Sequence, residues 1–115
     1  DADIVFDARC LPNPYWEPSL RDANGCDQSV IAFLEHYQDV ADMKRDILTW
    51  VRNWLPRYQA SQRSYLTVAV GCTGGQHRSV YLAESIAAAL VDDHPRIRLR
   101  HRELGQQRRL DSGAQ

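Results

Sequence analysis

No stretch of the sequence is apolar for long enough to cross a membrane. Its longest apolar runs, such as Tyr65 to Val70, fall far short of the roughly 20 residues that a spanning helix needs. A secretory signal pattern is missing from the amino terminus as well. Cysteine is sparse: Cys10, Cys26 and Cys72 make an odd number with no Cys-x-x-Cys spacing. That argues against a disulfide framework and a zinc ribbon, and fits a reducing, cytoplasmic compartment. His36, His94 and His101 fall in different elements and no pair has the spacing of zinc ligands, so neither a metal site nor a cofactor is expected in this domain. Excess charge is lacking too. At a net charge of -1 the domain has no overall footprint for nucleic acid, and any RNA contact must come from a local basic patch.

What remains is ordinary globular material, 43% hydrophobic and 25% charged, in 115 residues that suffice for one compact core. Because it opens on Asp1 rather than Met, the chain is expected to be one domain of a larger protein. Asp3–Arg9 predicts a short strand buried on both faces. The prolines at 12, 14 and 18 forbid regular structure in the stiff loop that follows. Asp27 is placed to cap a helix carrying Val30, Ile31, Phe33, Leu34 and Tyr37 on one face. A longer helix is expected from near Asp39, burying Val40, Met43, Ile47, Trp50, Val51 and Trp54 until Pro56 ends it. Tyr65–Val70 reads as the clearest strand, and a helix from about His77 to Val91 turns Val80, Ala83, Ile86, Ala87 and Leu90 inward. Ile97–His101 alternates like an edge strand. The order strand, helices, strand, helix, strand predicts an α/β fold: a small parallel sheet with right-handed crossover helices, Rossmann-like and three-layered. Residues 1–104 form the domain, and 105–115 read as a polar, flexible tail.

In open parallel sheets, ligands bind beyond the carboxyl ends of the strands. Two loops leave strands there, Cys10–Glu17 and Gly71–Ser79. In the second, Gly71, Gly74 and Gly75 let the backbone approach a ligand closely, and the next helix aims its free N–H groups back at the loop. Arg78 on the first helical turn is unfavourable unless an anion binds beside it, and a guanidinium matches phosphate. Thr73 and Ser79 add hydroxyls. A tight turn that needs its glycines and nothing more is the plainer alternative. No Walker motif is present, since the lysine is missing and the glycines are misplaced. Cys72 and Arg78, followed by Ser79, do match the Cys-x5-Arg-Ser arrangement of cysteine-dependent phosphatases. In that reading Cys72 is the nucleophile, Arg78 the phosphate clamp and Asp7 the leaving-group acid. The alternative makes Cys72 a small residue packed behind the loop. Trp50 and Trp54 are assigned to the core, whereas Trp16 in the ligand-side loop is left open between packing and base or sugar stacking.

Four segments together carry a resemblance: Asp3–Arg9, Leu11–Trp16, Arg63–Ala69 and Gly71–Tyr81. In that order they resemble the carboxyl-terminal domain of the RapZ (YvcJ-like) family, a likeness that covers roughly Asp3 to Leu104. The resemblance implies a domain like a phosphofructokinase subdomain, which follows a nucleotide-binding P-loop domain in the full-length protein. It implies a non-catalytic RNase adapter that presents a small regulatory RNA to RNase E, so controlling amino-sugar synthesis, and that senses glucosamine-6-phosphate or a UDP-linked amino sugar. Carried over by position, the ligand site is Asp7, Arg9, Asn13, Tyr15, Thr73, Gly74, Gly75, His77, Arg78 and Ser79. RNA would follow Arg98, Arg100, Arg102, Arg108 and Arg109, and a homo-oligomer is expected. Tyr15 stands where enterobacterial members have His, and Gln76 where Lys is common. The basic tail of the family is thinned here to Gln106–Asp111, which should weaken RNA affinity and flatten its salt dependence.

Overall fold

The computed structural model describes residues 2–61, 66–90 and 97–104, with side chains in the last segment described only at Arg100. The expected tail, 105–115, lies outside the described residues. Strand β1 is Ile4–Asp7, followed by two 3-10 turns, Pro14–Trp16 and Pro18–Leu20. Helix α1 is Gln28–Glu35, α2 Gln38–Ala60, β2 Leu66–Thr73, α3 Arg78–Leu90 and β3 Ile97–Leu104. The sheet is parallel throughout in the order β1-β2-β3, with Phe6 opposite Val70 and Asp7 opposite Gly71. The parallel α/β architecture with crossover helices is the one expected.

The central position of β2 explains its composition. Its residues are buried from Leu66 to Cys72, flanked by β1 on one edge and β3 on the other. The strand continues past the expected Val70, so Gly71, Cys72 and Thr73 belong to the sheet and the turn is compressed into Gly74–His77. Leu66, Val68, Val70 and Cys72 share one core with Val40, Ile47, Val51 and Leu55 of α2 and with Leu82, Ile86 and Leu90 of α3. Of the expected layers, the described residues supply the sheet and this helical layer. Strand β1 corrects an expectation: it is not buried on both faces but alternates half-buried and exposed, with Val5 43% exposed. Among the described residues it has a neighbouring strand on one side only, and Val5 and Asp7 are exposed.

Three further boundaries differ, each for a physical reason. The prolines at 14 and 18 do not exclude regular structure, because each sits in the first turn of a 3-10 helix, where its missing N–H costs nothing. Pro56 does not end α2. It forfeits one backbone bond to the exposed Arg52, while Leu55 stays fully buried and Tyr58 still packs against the core. Asp27 sits at the start of α1 but makes no capping bond to the helix. Its carboxylate accepts from the Asn24 amide at 2.8 Å, closing a turn that presents Gly25 to α3.

The tryptophans divide differently as well. The Val40, Ile47, Val51 and Leu55 stripe fills the core, leaving Trp50 half-buried, edge-on to Phe6 with ring centroids 5.7 Å apart. Trp54 is 41% exposed, stacked outside Trp50 with the Arg57 guanidinium over its ring.

The approach at Gly25 has a measurable consequence. Its amide donates to the Gln76 carbonyl at 2.9 Å, and a Cβ there would overlap the Tyr81 amide nitrogen, the His77 carbonyl oxygen and Val80 Cβ. Two of these are backbone atoms that cannot swing aside. Gly25→Ala is expected to lower unfolding free energy by about 2 kcal/mol or more, read as an earlier midpoint in urea.

Candidate functional site

Parallel pairing brings the carboxyl ends of β1 and β2 to one edge of the sheet. After Thr73, Gly74 and Gly75 both adopt left-handed backbone, with φ of 82° and 62°, a conformation glycine enters without strain. A Cβ on Gly74 would meet nothing within 4 Å, so it is the backbone conformation, not crowding, that asks for glycine there. Among the described residues, the amides of Gly74, Gly75, Gln76, His77 and Arg78 have no hydrogen-bonded acceptor. They precede the 13-residue helix α3, whose positive dipole end adds to them.

The side chains of the same segment turn the other way. Gln76 Nε2 donates to the carbonyls of Arg21 at 2.9 Å and Ala23 at 2.6 Å. His77 Nε2 lies 2.9 Å from the Leu20 carbonyl, a bond that requires the proton on Nε2. Arg78 Nη1 donates to the carbonyls of Arg9 and Leu11, each at 2.8 Å. His77 and Arg78 are only 4% and 3% exposed. Thus His77 and Arg78, two of the residues singled out as ligand contacts, clamp the loop after β1 onto the start of α3. Gln76, noted in the sequence only as a lost charge, is part of that clamp. A glutamine flanked by glycine and histidine at a helix start carried no signal of this, because its acceptors lie more than 50 positions earlier in the chain. One atom is left over. Arg78 Nε is buried without a partner, and no described carboxylate comes within ion-pairing distance of this guanidinium.

Beneath the turn, Ser79 and Cys72 form a buried pair. The Ser79 amide donates to Cys72 Sγ at 3.3 Å, and the thiol lies 3.2 Å from Ser79 Oγ. Cys72 is 1% exposed and its side chain belongs to the core row of β2. Thr73, by contrast, is exposed.

On the facing side, Asp7 and Arg9 pair in a two-pronged bridge of 3.0 Å (Nε to Oδ1) and 2.7 Å (Nη2 to Oδ2), both side chains nearly half exposed. The Arg9 side-chain hydrogen bonds hold the Asp7 carboxyl below its ordinary value of 3.8. Partial burial opposes this, and the charge of Arg78 adds a smaller push in the same direction as Arg9. Asn13 Oδ1 accepts from the Tyr15 amide at 3.0 Å and caps the first 3-10 turn. Tyr15 is 46% exposed, beneath the Arg21 guanidinium.

The arginine strip is placed in part. Arg98, Arg100 and Arg102 sit at register positions opposite Thr67, Ala69 and Gly71, and Arg100 is exposed. Arg108 and Arg109 lie outside the described residues. Among the described residues no group of His, Cys, Asp and Glu is arranged to hold a metal, and no helix is long and apolar enough to cross a membrane.

Two outcomes test this geometry. Arg78→Met leaves two carbonyls without donors and should cost about 3 kcal/mol of stability in urea unfolding. In Asp7→Asn the pH dependence changes. The folded-state value of Asp7 lies below 3.8, so its contribution is fully present above that pH and is lost as pH falls through the folded value. Wild type and variant should therefore differ by a constant amount near neutrality and converge in acid.

A family model described as the RapZ C-terminal domain matches residues 1–105. A relative from Chromohalobacter salexigens, named nucleotide-binding protein, is 62% identical over 110 residues, 96% of this chain and 37% of its own. Relatives of the same name from Nitrosococcus oceani and Azotobacter vinelandii are 58% and 56% identical over 104 residues, 90% of this chain. The chain thus spans about 37% of the length of the relatives it matches. By the extent of that match and the identity to these relatives, it belongs to the RapZ C-terminal domain family.

Proposed function

We propose that residues 1–104 are a non-catalytic sensor and adapter domain whose loop at Gly74–Arg78 holds the phosphate of an amino-sugar phosphate or UDP-linked amino sugar. One observation carries the reading: among the described residues, five consecutive backbone donors have no acceptor, and the last of them belongs to Arg78, whose buried guanidinium has no carboxylate partner. An anion would answer both. Thr73 adds an exposed hydroxyl, and Ser79 supports the turn from below. Asp7, Arg9, Asn13 and Tyr15 face the sugar, with the Asp7–Arg9 pair able to exchange partners for its hydroxyl or amino groups. His77 and Arg78 act chiefly by fixing the two loops together, Arg78 adding its charge.

The adapter role extends to a small regulatory RNA along Arg98, Arg100, Arg102, Arg108 and Arg109, to RNase E, to an amino-terminal P-loop domain and to a homo-oligomer. Cys72 serves packing rather than catalysis, because its sulfur faces the core and Ser79.

The test is a backbone-amide NMR titration with inorganic phosphate, glucosamine-6-phosphate and UDP-N-acetylglucosamine. Shifts concentrated at Gly74–Arg78, with ligand-dependent thermal stabilisation, are expected. Silence at those amides with every ligand would end the reading. Turnover of p-nitrophenyl phosphate that disappears in Cys72→Ser would replace the sensor with a phosphatase.

A further inference from the structure

A cavity of about 490 Å³ opens where α2 meets α3 and the end of α1. That is within the roughly 300–1,000 Å³ typical of small-ligand sites. None of its lining residues belongs to the Gly74–Arg78 loop or to the loop after β1. Most of its wall comes from one helix. Ala41, Lys44, Arg45, Leu48 and Arg52 recur three and four positions apart along α2, a stripe about 16 Å long. Val40 and Leu48 make an apolar floor, the first fully buried and the second half-buried against the core. Tyr81 of α3 adds a wall and is only 6% exposed. Its hydroxyl donates to Glu35 Oε2 at 3.0 Å. Burial first, and that bond second, hold the phenol above its ordinary value, so the proton stays and the pair is closed.

The charges around this floor do not balance. Three cations line the cavity, Lys44, Arg45 and Arg52, against one carboxylate, Glu35. Glu35 already accepts from Tyr81, and Arg45 is bridged to Asp42 at 3.1 Å and Asp46 at 3.2 Å. Lys44 and Arg52 form no ion pair among the described residues. Arg52 ends the stripe, two turns of helix beyond Lys44, whereas Glu35 precedes the start of α2. An apolar surface therefore carries uncompensated positive charge toward one end.

We infer that this cavity is a second ligand site, for a small molecule with an apolar body and a single carboxylate. The body lies along Val40, Leu48 and Tyr81, and the carboxylate pairs with Arg52, with Lys44 adding its charge along the way. A guanidinium grips a carboxylate in two-pronged fashion, and burial of the apolar body supplies the rest. The inference does not rest on the phosphate reading of the Gly74–Arg78 loop. The charge pattern also argues against larger occupants. A second copy packed two-fold about Leu48 would set Lys44 against Arg52. A partner helix with acidic residues along its length would meet Glu35 as well as the two cations. A single carboxylate at the Arg52 end meets neither obstacle.

Decanoate is the probe, with decylammonium as the control of equal chain length and opposite charge, both below their micelle-forming concentrations. Binding is read by backbone-amide NMR and calorimetry in wild type, Arg52→Gln and Ala41→Trp. Decanoate is expected to give saturable shifts between Ala41 and Arg52 and around Tyr81, and to bind about tenfold more tightly than decylammonium. Arg52→Gln should lower its affinity about tenfold. Ala41→Trp, at an exposed position, fills the cavity and should abolish binding without lowering the unfolding midpoint. If the two amphiphiles bind alike, there is no anion site and the inference falls. Shifts scattered over the surface and unmoved in both variants mean an adventitious additive only, and overturn it too. No saturable binding of decanoate overturns it outright. A concentration-dependent sedimentation that Ala41→Trp removes would then assign the cavity to a second copy.

Discussion

Three side chains at the start of α3, Gln76, His77 and Arg78, donate into the carbonyls of the loop that follows β1, and the rest of the site depends on this clamp. The loop needs it. With prolines at 12, 14 and 18 it is short of N–H groups, and its irregular path leaves carbonyls that no sheet or helix serves. A buried acceptor without a donor costs about 1–3 kcal/mol, so donors arriving from 50 or more residues away outweigh the entropy of ordering them.

The clamp also sorts the chemistry of the Gly74–Arg78 segment. The Gln76, His77 and Arg78 side chains point into the protein and the amides have no acceptor among the described residues, a division made possible by two consecutive left-handed glycines. Arg78 carries a positive charge to the dipole end of α3 where it is least welcome, and spends its hydrogen bonds on neutral carbonyls. A guanidinium so placed keeps most of its charge for something else. An anion on the neighbouring amides would relieve both unfavourable terms, and because the clamp joins the two loops, filling one would stiffen the other.

The Cys-x5-Arg-Ser spacing illustrates how a motif and its geometry can part. The chain does run strand, loop and helix through it, as such a motif requires. Yet Cys72 falls within β2 rather than after it, so the alternation of the strand sends its sulfur into the core row with Leu66, Val68 and Val70. The spacing is present and its thiol is buried.

Patterns that repeat along the chain were legible by themselves. The apolar run of β2, the helical periods of α1, α2 and α3 and the alternation at β3 follow from local geometry, and with the parallel order they place both loops at one edge of the sheet. Gly74 and Gly75 as a turn next to a helix start could be read the same way. What could not be read was anything decided by a partner distant in sequence. The exposure of β1 depends on its place at the sheet edge, the survival of α2 past Pro56 on Leu55 and Tyr58 reaching the core, and the tasks of Gln76, His77 and Arg78 on carbonyls that only folding brings near. Periodicity specifies which face a residue occupies; which atom waits there is a property of the assembled chain.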